Sequence, residues 1–206
     1  MTKYNMGDFK KEWFAKSQVD YFTSFVSLWL SCNSWYNFHY SLNNDRKHIN
    51  KIKSDTGQTN KLFKEFEKLF TGSSTKEQKS LFSNIELLHY SLNRKLLTAP
   101  KLLKPLSLNM ALIDWDGKDN NNSYVDLILS NAKTKTGKLK ANINGINLGD
   151  IVIVNNVQQI FAGLFEIIYQ VRCLLVHGDL EPTEDNYEIV KYCYLILHDL
   201  MKPFCS

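Results

Sequence analysis

The sequence predicts a mainly α-helical protein, an antiparallel helical bundle with a small β-hairpin inserted between its two helical halves. Three observations carry that expectation. Apolar residues recur at steps of three and four in five separate segments, the spacing that lines one face of an α-helix. Between Ser107 and Asp150 that period gives way to β-favouring residues and turn dipeptides. At 206 residues, with 44% hydrophobic and 13% aromatic content, the chain suits one domain over residues 1–206 with a real core, which excludes wholesale disorder.

The first helix is expected from about Val19 to about Tyr40, beginning near Ser17, because Phe22, Phe25, Val26, Trp29, Cys32, Asn33 and Tyr36 share a face. It fades into a polar loop, Asn43 to Asn60, flanked by His39 and His48. A second helix carries Leu62, Phe63, Phe66, Leu69 and Phe70 and stops at Thr71-Gly72-Ser73-Ser74. Ser74-x-x-Glu77 reads as the capping box of a third, which runs through Leu81, Phe82, Ile85, Leu88, Leu92 and Leu96 before Pro100 and Pro105 close this half.

The insertion spans about residues 107–150. It holds a polar loop from Asp116 to Ser123, a β-favouring run from Tyr124 to Ser130 and period-two alternation from Lys138 to Ile143. Thr136-Gly137 and Asn144-Gly145 supply turn chemistry. Lys133, Lys135, Lys138 and Lys140 are expected on a solvated edge, where lysines oppose edge-to-edge pairing; contact with a phosphate backbone is the alternative. Val157, Ile160, Phe161, Leu164, Ile168, Val171 and Leu175 then form a long apolar stripe ending at His177-Gly178, where glycine stops helices. A final helix should start near Asp185, boxed by Glu188, and its apolar girth places it deep in the bundle.

Composition narrows the function classes. Lys and Arg outnumber Asp and Glu by 25 to 21, a mild net +4 that permits a nucleic-acid partner without demanding one. Met1 to Lys16 is charged and aromatic and does not read as a signal peptide. The most apolar stretch, Ile160 to Val176, is interrupted by Glu166, Gln170 and Arg172, so no membrane partner is expected. Cys32, Cys173, Cys193 and Cys205 have neither Cys-x-x-Cys nor His spacing, which points to reduced thiols in the cytoplasm and to no zinc site. Asp114, Asp116 and Asp119 lack the Gly and Glu of a calcium loop, and there is no P-loop, dinucleotide turn or serine elbow. No metal and no cofactor is called for.

One constellation stands out, Arg172-Cys-Leu-Leu-Val-His177-Gly178. Arg46, Arg94 and Arg172 are the only arginines, and Arg172 interrupts a helix that should be core. A buried charge there is costly unless it is paired or faces a cleft or an interface. The structural reading is an Arg that pairs with Glu166 or Asp179 or holds helix-end carbonyls, with His177 as a C-cap. The functional reading starts from about 140° between the two residues around the helix, so a flexible Arg and a His released by the glycine stop must converge. His89 and His198 sit among apolar residues and read as satisfied core or surface histidines.

The segment Ile168-Tyr-Gln-Val-Arg172-Cys-Leu-Leu-Val-His177-Gly-Asp179 resembles the Arg-x4-6-His signature of the HEPN (higher eukaryotes and prokaryotes nucleotide-binding) family. Phe25-Val-Ser-Leu-Trp-Leu-Ser-Cys-Asn-Ser-Trp-Tyr36 is similar to the first long helix of its bacterial and phage members. Together the matching regions cover under half of the chain. The resemblance implies a HEPN-like bundle and a metal-independent endoribonuclease that leaves 2′,3′-cyclic phosphate ends. It further implies a toxin or anti-phage effector, with RNA as substrate, an antitoxin or regulatory protein as a further partner, and a composite site at a homodimer interface. Arg172 and His177 are the catalytic candidates; Asn33, Tyr36, Cys173 and Asp179 are candidate substrate-binding positions, with Trp29 beside them. Many active members carry Asn or another polar residue after the Arg, where this chain has Cys173. That departure and the modest charge point to an alternative, a catalytically inactive HEPN-like module that binds a nucleotide, RNA or a protein.

The chemistry stands apart from the resemblance. Metal-free RNA cleavage needs a base for the 2′-OH, an acid for the leaving 5′-oxygen and positive charge on the phosphorane. Imidazole titrates near neutrality and guanidinium forks onto phosphate oxygens. One motif supplies one His, so a two-fold dimer is the economical source of the second.

Overall fold

A computed structural model describes residues 19–98, 104–108, 111–114 and 123–205 of the chain. The expectations for Met1–Lys16, Ser17, Pro100, Asp116 and Asp119 lie outside those residues. Among the described residues there are six helices: α1 (Tyr21–Tyr40), α2 (Asp45–Ser54), α3 (Lys61–Thr71), α4 (Lys76–Arg94), α5 (Val157–Val176) and α6 (Glu184–Cys205). Strands β1 (Ala111–Asp114), β2 (Ser123–Val125), β3 (Gly145–Asn147) and β4 (Val152–Val154) form two antiparallel pairs, β1 with β2 and β3 with β4. The architecture is mainly α, as the 3.6-residue periodicity predicts.

Each helix starts where a short polar side chain can take over orphaned backbone N–H groups. Asp20 accepts from Phe22 and Thr23, Asn44 from Lys47, Asn60 from Phe63, Asn156 from Gln159, and Thr183 from Asn186. Two predicted caps are therefore displaced. At α4 the cap is Thr75, whose hydroxyl accepts from Gln78 N, while the Gln78 side chain accepts from Ser74 N; the cap lies one residue later than the Ser74-x-x-Glu77 reading, and Glu77 takes no part in it. At α6 the cap is Thr183 rather than Asp185. Leu96 lies beyond the end of α4 and is 66% exposed, so it belongs to no helix face.

Two larger corrections concern the polar stretch and the insertion. Asn43–Asn60 is not a loop but contains α2, whose inward face is His48, Ile49, Ile52 and Lys53. His48 is a loop clamp: its Nε2 accepts from Leu42 N at 2.9 Å and its Nδ1 lies 3.1 Å from Asn44 O. In the insertion the turn at Gly137 forms as predicted, with φ +78, but Asn144-Gly145 is no turn. Gly145 opens β3, where a Cβ would meet Val152 Cγ1 at 2.7 Å and Leu129 Cδ1 at 2.8 Å. The chain instead reverses at Leu148–Ile151, and Leu127–Leu129 runs along the other edge of β4 through Leu129 N to Val152 O and Val154 N to Leu127 O. Glu86 of α4 accepts from Asp150 N and Ile151 N, which docks this turn on the bundle. Lys135, Lys138 and Lys140 are exposed as expected, whereas Lys133 donates to Gly149 O.

The core is an aromatic and aliphatic interior shared by all six helices. Trp29 packs on Tyr36, Phe165 and Tyr169, and Phe161 on Phe63, Phe66 and Phe165, so α1, α3 and α5 interlock through rings. α1 and α4 flank α6, and α2 lies along α5. Along α6 only Glu184, Lys202, Pro203 and Cys205 are exposed, which is the deep placement its composition predicts. α5 is long and apolar enough to cross a membrane by length and composition, yet 72% of its most apolar window is buried inside the protein. It is the core helix.

Candidate functional site

The C-terminus of α5 sets the geometry of the Arg–His segment. His177 caps the helix, Gly178 adopts φ +76, Gly178 N donates to Leu175 O, and Asp179 N donates to Leu174 O at 2.8 Å. This is a Schellman ending, and the left-handed residue it demands is why glycine stands there. Its consequence is that His177 and Asp179 are both exposed just past the helix end, while Leu180 turns back into the core.

Arg172, one turn earlier, is only 17% exposed. Its Nη2 lies 3.4 Å from Asp45 Oδ2, its guanidinium sits 5.6 Å from the Trp29 ring centre, and Nη1 approaches Cys173 Sγ at 3.9 Å. The partner expected from sequence, Glu166 or Asp179, is not the one used. Asp45 is, because α2 begins directly against the end of α5. A hydrogen-bonded chain continues outward: Tyr36 OH donates to Asp45 Oδ1 at 3.1 Å, Asn33 Nδ2 donates to Tyr36 OH at 2.6 Å, and Asn37 Nδ2 donates to Asn33 Oδ1 at 2.5 Å. Burial first, then the Asp45 carboxylate, pushes the Tyr36 phenol well above its ordinary range, so it stays a donor. Arg172 Nε is buried with no hydrogen-bond partner among the described residues.

Four of the six sequence candidates, Arg172, Cys173, Asn33 and Tyr36, thus converge at one end of the α2–α5 pair. His177 and Asp179 stand at the same helix end, but no contact joins His177 to Arg172 among the described residues. Within one chain the five-residue spacing leaves them apart.

A second ionic cluster, which sequence reasoning missed, lies further along the same helix pair. Glu166 is 1% exposed and binds Arg46 Nη1 through both oxygens, at 2.9 and 2.8 Å, and Lys53 Nζ at 2.7 Å, while Gln170 donates to it at 2.7 Å. Burial alone would raise the Glu166 carboxyl; Lys53 and Arg46 outweigh it and hold the group below its ordinary value. The Arg46 guanidinium also covers the Tyr169 ring at 4.5 Å. Arg46, Lys53 and Arg172 against Asp45 and Glu166 leave one net positive charge between α2 and α5. Asn44 as a cap, followed by Ile49 and Ile52 three apart, was the available signal for α2. It was obscured because half of the buried face is His48 and Lys53.

A cleft of about 510 Å³ opens where α2 ends and α5 begins, lined by Asn50, Lys53, Ser54, Asn156, Gln158, Gln159 and Ala162. Ala162 is ten residues from Arg172, about 15 Å along the helix, so this cleft is separate from the Arg172 end. It contains no acid–base pair. Among the described residues no three His, Cys, Asp or Glu side chains converge as a metal site would require.

Compared with known proteins, the chain matches no family model, no curated protein and no solved structure. The functional reading therefore rests on the residues themselves.

Proposed function

We propose that the protein is a HEPN-type endoribonuclease that cleaves RNA without a metal, using Arg172 and His177 of two chains in one composite site. The observation that carries this reading is the Arg172 end of α5. There a guanidinium that is 17% exposed is held by a 3.4 Å contact to Asp45 beside the Trp29 ring and Cys173 Sγ, keeps its Nε–H without a partner among the described residues, and has an exposed imidazole at the adjoining helix terminus. A long ion pair at a partly open site exchanges for a phosphate at low cost, and guanidinium is suited to a phosphorane. In the reaction one His177 takes the proton of the 2′-OH, the 2′-oxygen bonds to phosphorus, and the bond to the 5′-oxygen breaks. The second His177 protonates that leaving oxygen, giving a 2′,3′-cyclic phosphate and a 5′-hydroxyl. The exposed Lys135, Lys138 and Lys140 supply positive charge of the kind a phosphate backbone attracts without regard to sequence. The setting that fits is a cytoplasmic toxin or anti-phage effector restrained by an antitoxin or regulatory protein.

A second reading, a HEPN-like module that binds a nucleotide, RNA or a protein without cleaving, is favoured by one observation. Asp45 already neutralises Arg172, under the Trp29 ring. The two readings separate in an RNA cleavage assay with EDTA present. The nuclease reading expects 2′,3′-cyclic phosphate ends from wild type and none from His177→Ala; no cleavage by a folded wild-type dimer across tRNA and mRNA substrates selects the module.

A further inference from the structure

We infer that the outer face of α1 is a two-fold interface for a second copy of this chain. The proposal rests on the composite-site reading for its purpose but on separate observations for its location. Charged residues make up 22% of the chain, so a 20-residue helix should carry about four. α1 carries no Asp, Glu, Lys or Arg at all, although one side of it faces solvent. Its exposed positions are Thr23, Ser27, Leu30, Ser31, Ser34, Asn37 and Phe38, with Leu30 62% and Phe38 90% exposed. The outward faces of α3 and α6, by contrast, hold Lys–Glu pairs such as Lys68–Glu65 and Lys191–Glu188. A solvated helix gains from such charges, whereas an interface core is depleted of them.

The face is matched to itself. In an antiparallel pairing about a two-fold axis between Leu30 and Ser31, position 23 meets 38, 27 meets 34, and 30 meets 31. Phe38 then lies on Thr23 of the other copy, Leu30 on its Ser31, and Ser27 on its Ser34. Every bulky exposed side chain faces a small one, and small residues at the crossing let the axes approach closely. An uncharged patch is also one that a chain of net +4 can present to its own copy without repulsion. The polar chain that starts at Arg172 and runs through Asp45, Tyr36 and Asn33 reaches the edge of this face at the exposed Asn37.

The test is sedimentation equilibrium and light scattering on the full chain. Wild type should dimerise, and Leu30→Asp, which puts like charges beside the axis, should weaken self-association by at least about 100-fold. Leu30→Asp mixed with Ser31→Lys should restore a dimer, because those positions face each other. Leu96→Asp, an equally exposed apolar site outside α1, should change nothing. Circular dichroism melts of the variants, all at exposed positions, verify folding. A monomeric wild type, or a dimer indifferent to Leu30→Asp, overturns the proposal. A dimer that responds as stated but cleaves no RNA leaves the interface standing and defeats the nuclease reading.

Discussion

Glu166→Gln is the substitution whose cost follows most directly from the structure. The Glu166 carboxylate accepts from Arg46, Lys53 and Gln170, and both cations come from α2, so this one group fastens α2 to α5. Charge-assisted hydrogen bonds are each worth about 1.5–3 kcal/mol, but the desolvation of three buried charges offsets much of that sum. What matters on substitution is what stays behind. Lys53 is 4% exposed and would lose the carboxylate that lies 2.7 Å from its ammonium, and removing one partner of such a pair costs about 3–5 kcal/mol. Against a total of about 5–15 kcal/mol for a domain, that is a large fraction. Urea denaturation followed by Trp fluorescence should show a lower midpoint with an unchanged slope. The pH dependence has a definite sign. Because the folded Glu166 titrates below its unfolded value of 4.5, its contribution is complete above that value and is lost as pH falls through the folded one. Combining Glu166→Leu with Arg46→Leu and Lys53→Met should recover most of the loss, since no buried charge is then orphaned. A loss below about 1 kcal/mol for Glu166→Gln would refute the view that this cluster joins the helices.

Other outcomes follow from single contacts. Gly178→Ala should lower Tm by about 2–4 °C, because φ +76 costs an L-residue about 1 kcal/mol while a Cβ there meets no atom within 4 Å. Asn60, fully buried, caps α3 and donates to Ile52 O and Asp55 O, so Asn60→Ala should cost about 2 kcal/mol in a denaturant titration. Burial holds the His89 imidazole below its ordinary 6.5, against a smaller opposing pull from Glu86. Stability should therefore decline as pH drops below about 6.5, where the unfolded chain protonates first, and His89→Gln should flatten that decline between pH 7.5 and 5.5.

How far the sequence could be read depended on what filled each buried face. α1, α3, α4, α5 and α6 were legible because Phe, Leu and Ile at steps of three and four leave little else to explain. α2 was not, because its inward His48 and Lys53 are polar groups, His48 satisfied by the loop just before the helix and Lys53 by Glu166 across 113 residues. Missing α2 meant missing Asp45, and so the wrong partner for Arg172. The insertion was recognised as β but with the wrong turn. Asn144-Gly145 has hairpin composition, yet Gly145 is there because Val152 and Leu129 leave no room for a side chain. The cluster of Arg172, Tyr36 and Asn33 was partly legible, since Asn33 and Tyr36 share the α1 face with Trp29. Arg172 and His177 stay apart within this chain because five residues of helix turn them to different sides, His177 still being right-handed helical as the C-cap ahead of Gly178.

The central claim is that two chains build one active site, and mixed dimers test it directly. Wild-type and His177→Ala chains are unfolded together, refolded at fixed total concentration in varying ratio, and assayed for RNA cleavage in EDTA. If each site needs both histidines, activity follows the square of the wild-type fraction, about a quarter at an equal mixture. A linear fall, about half at the same point, would mean that each chain cleaves alone and would contradict the composite site.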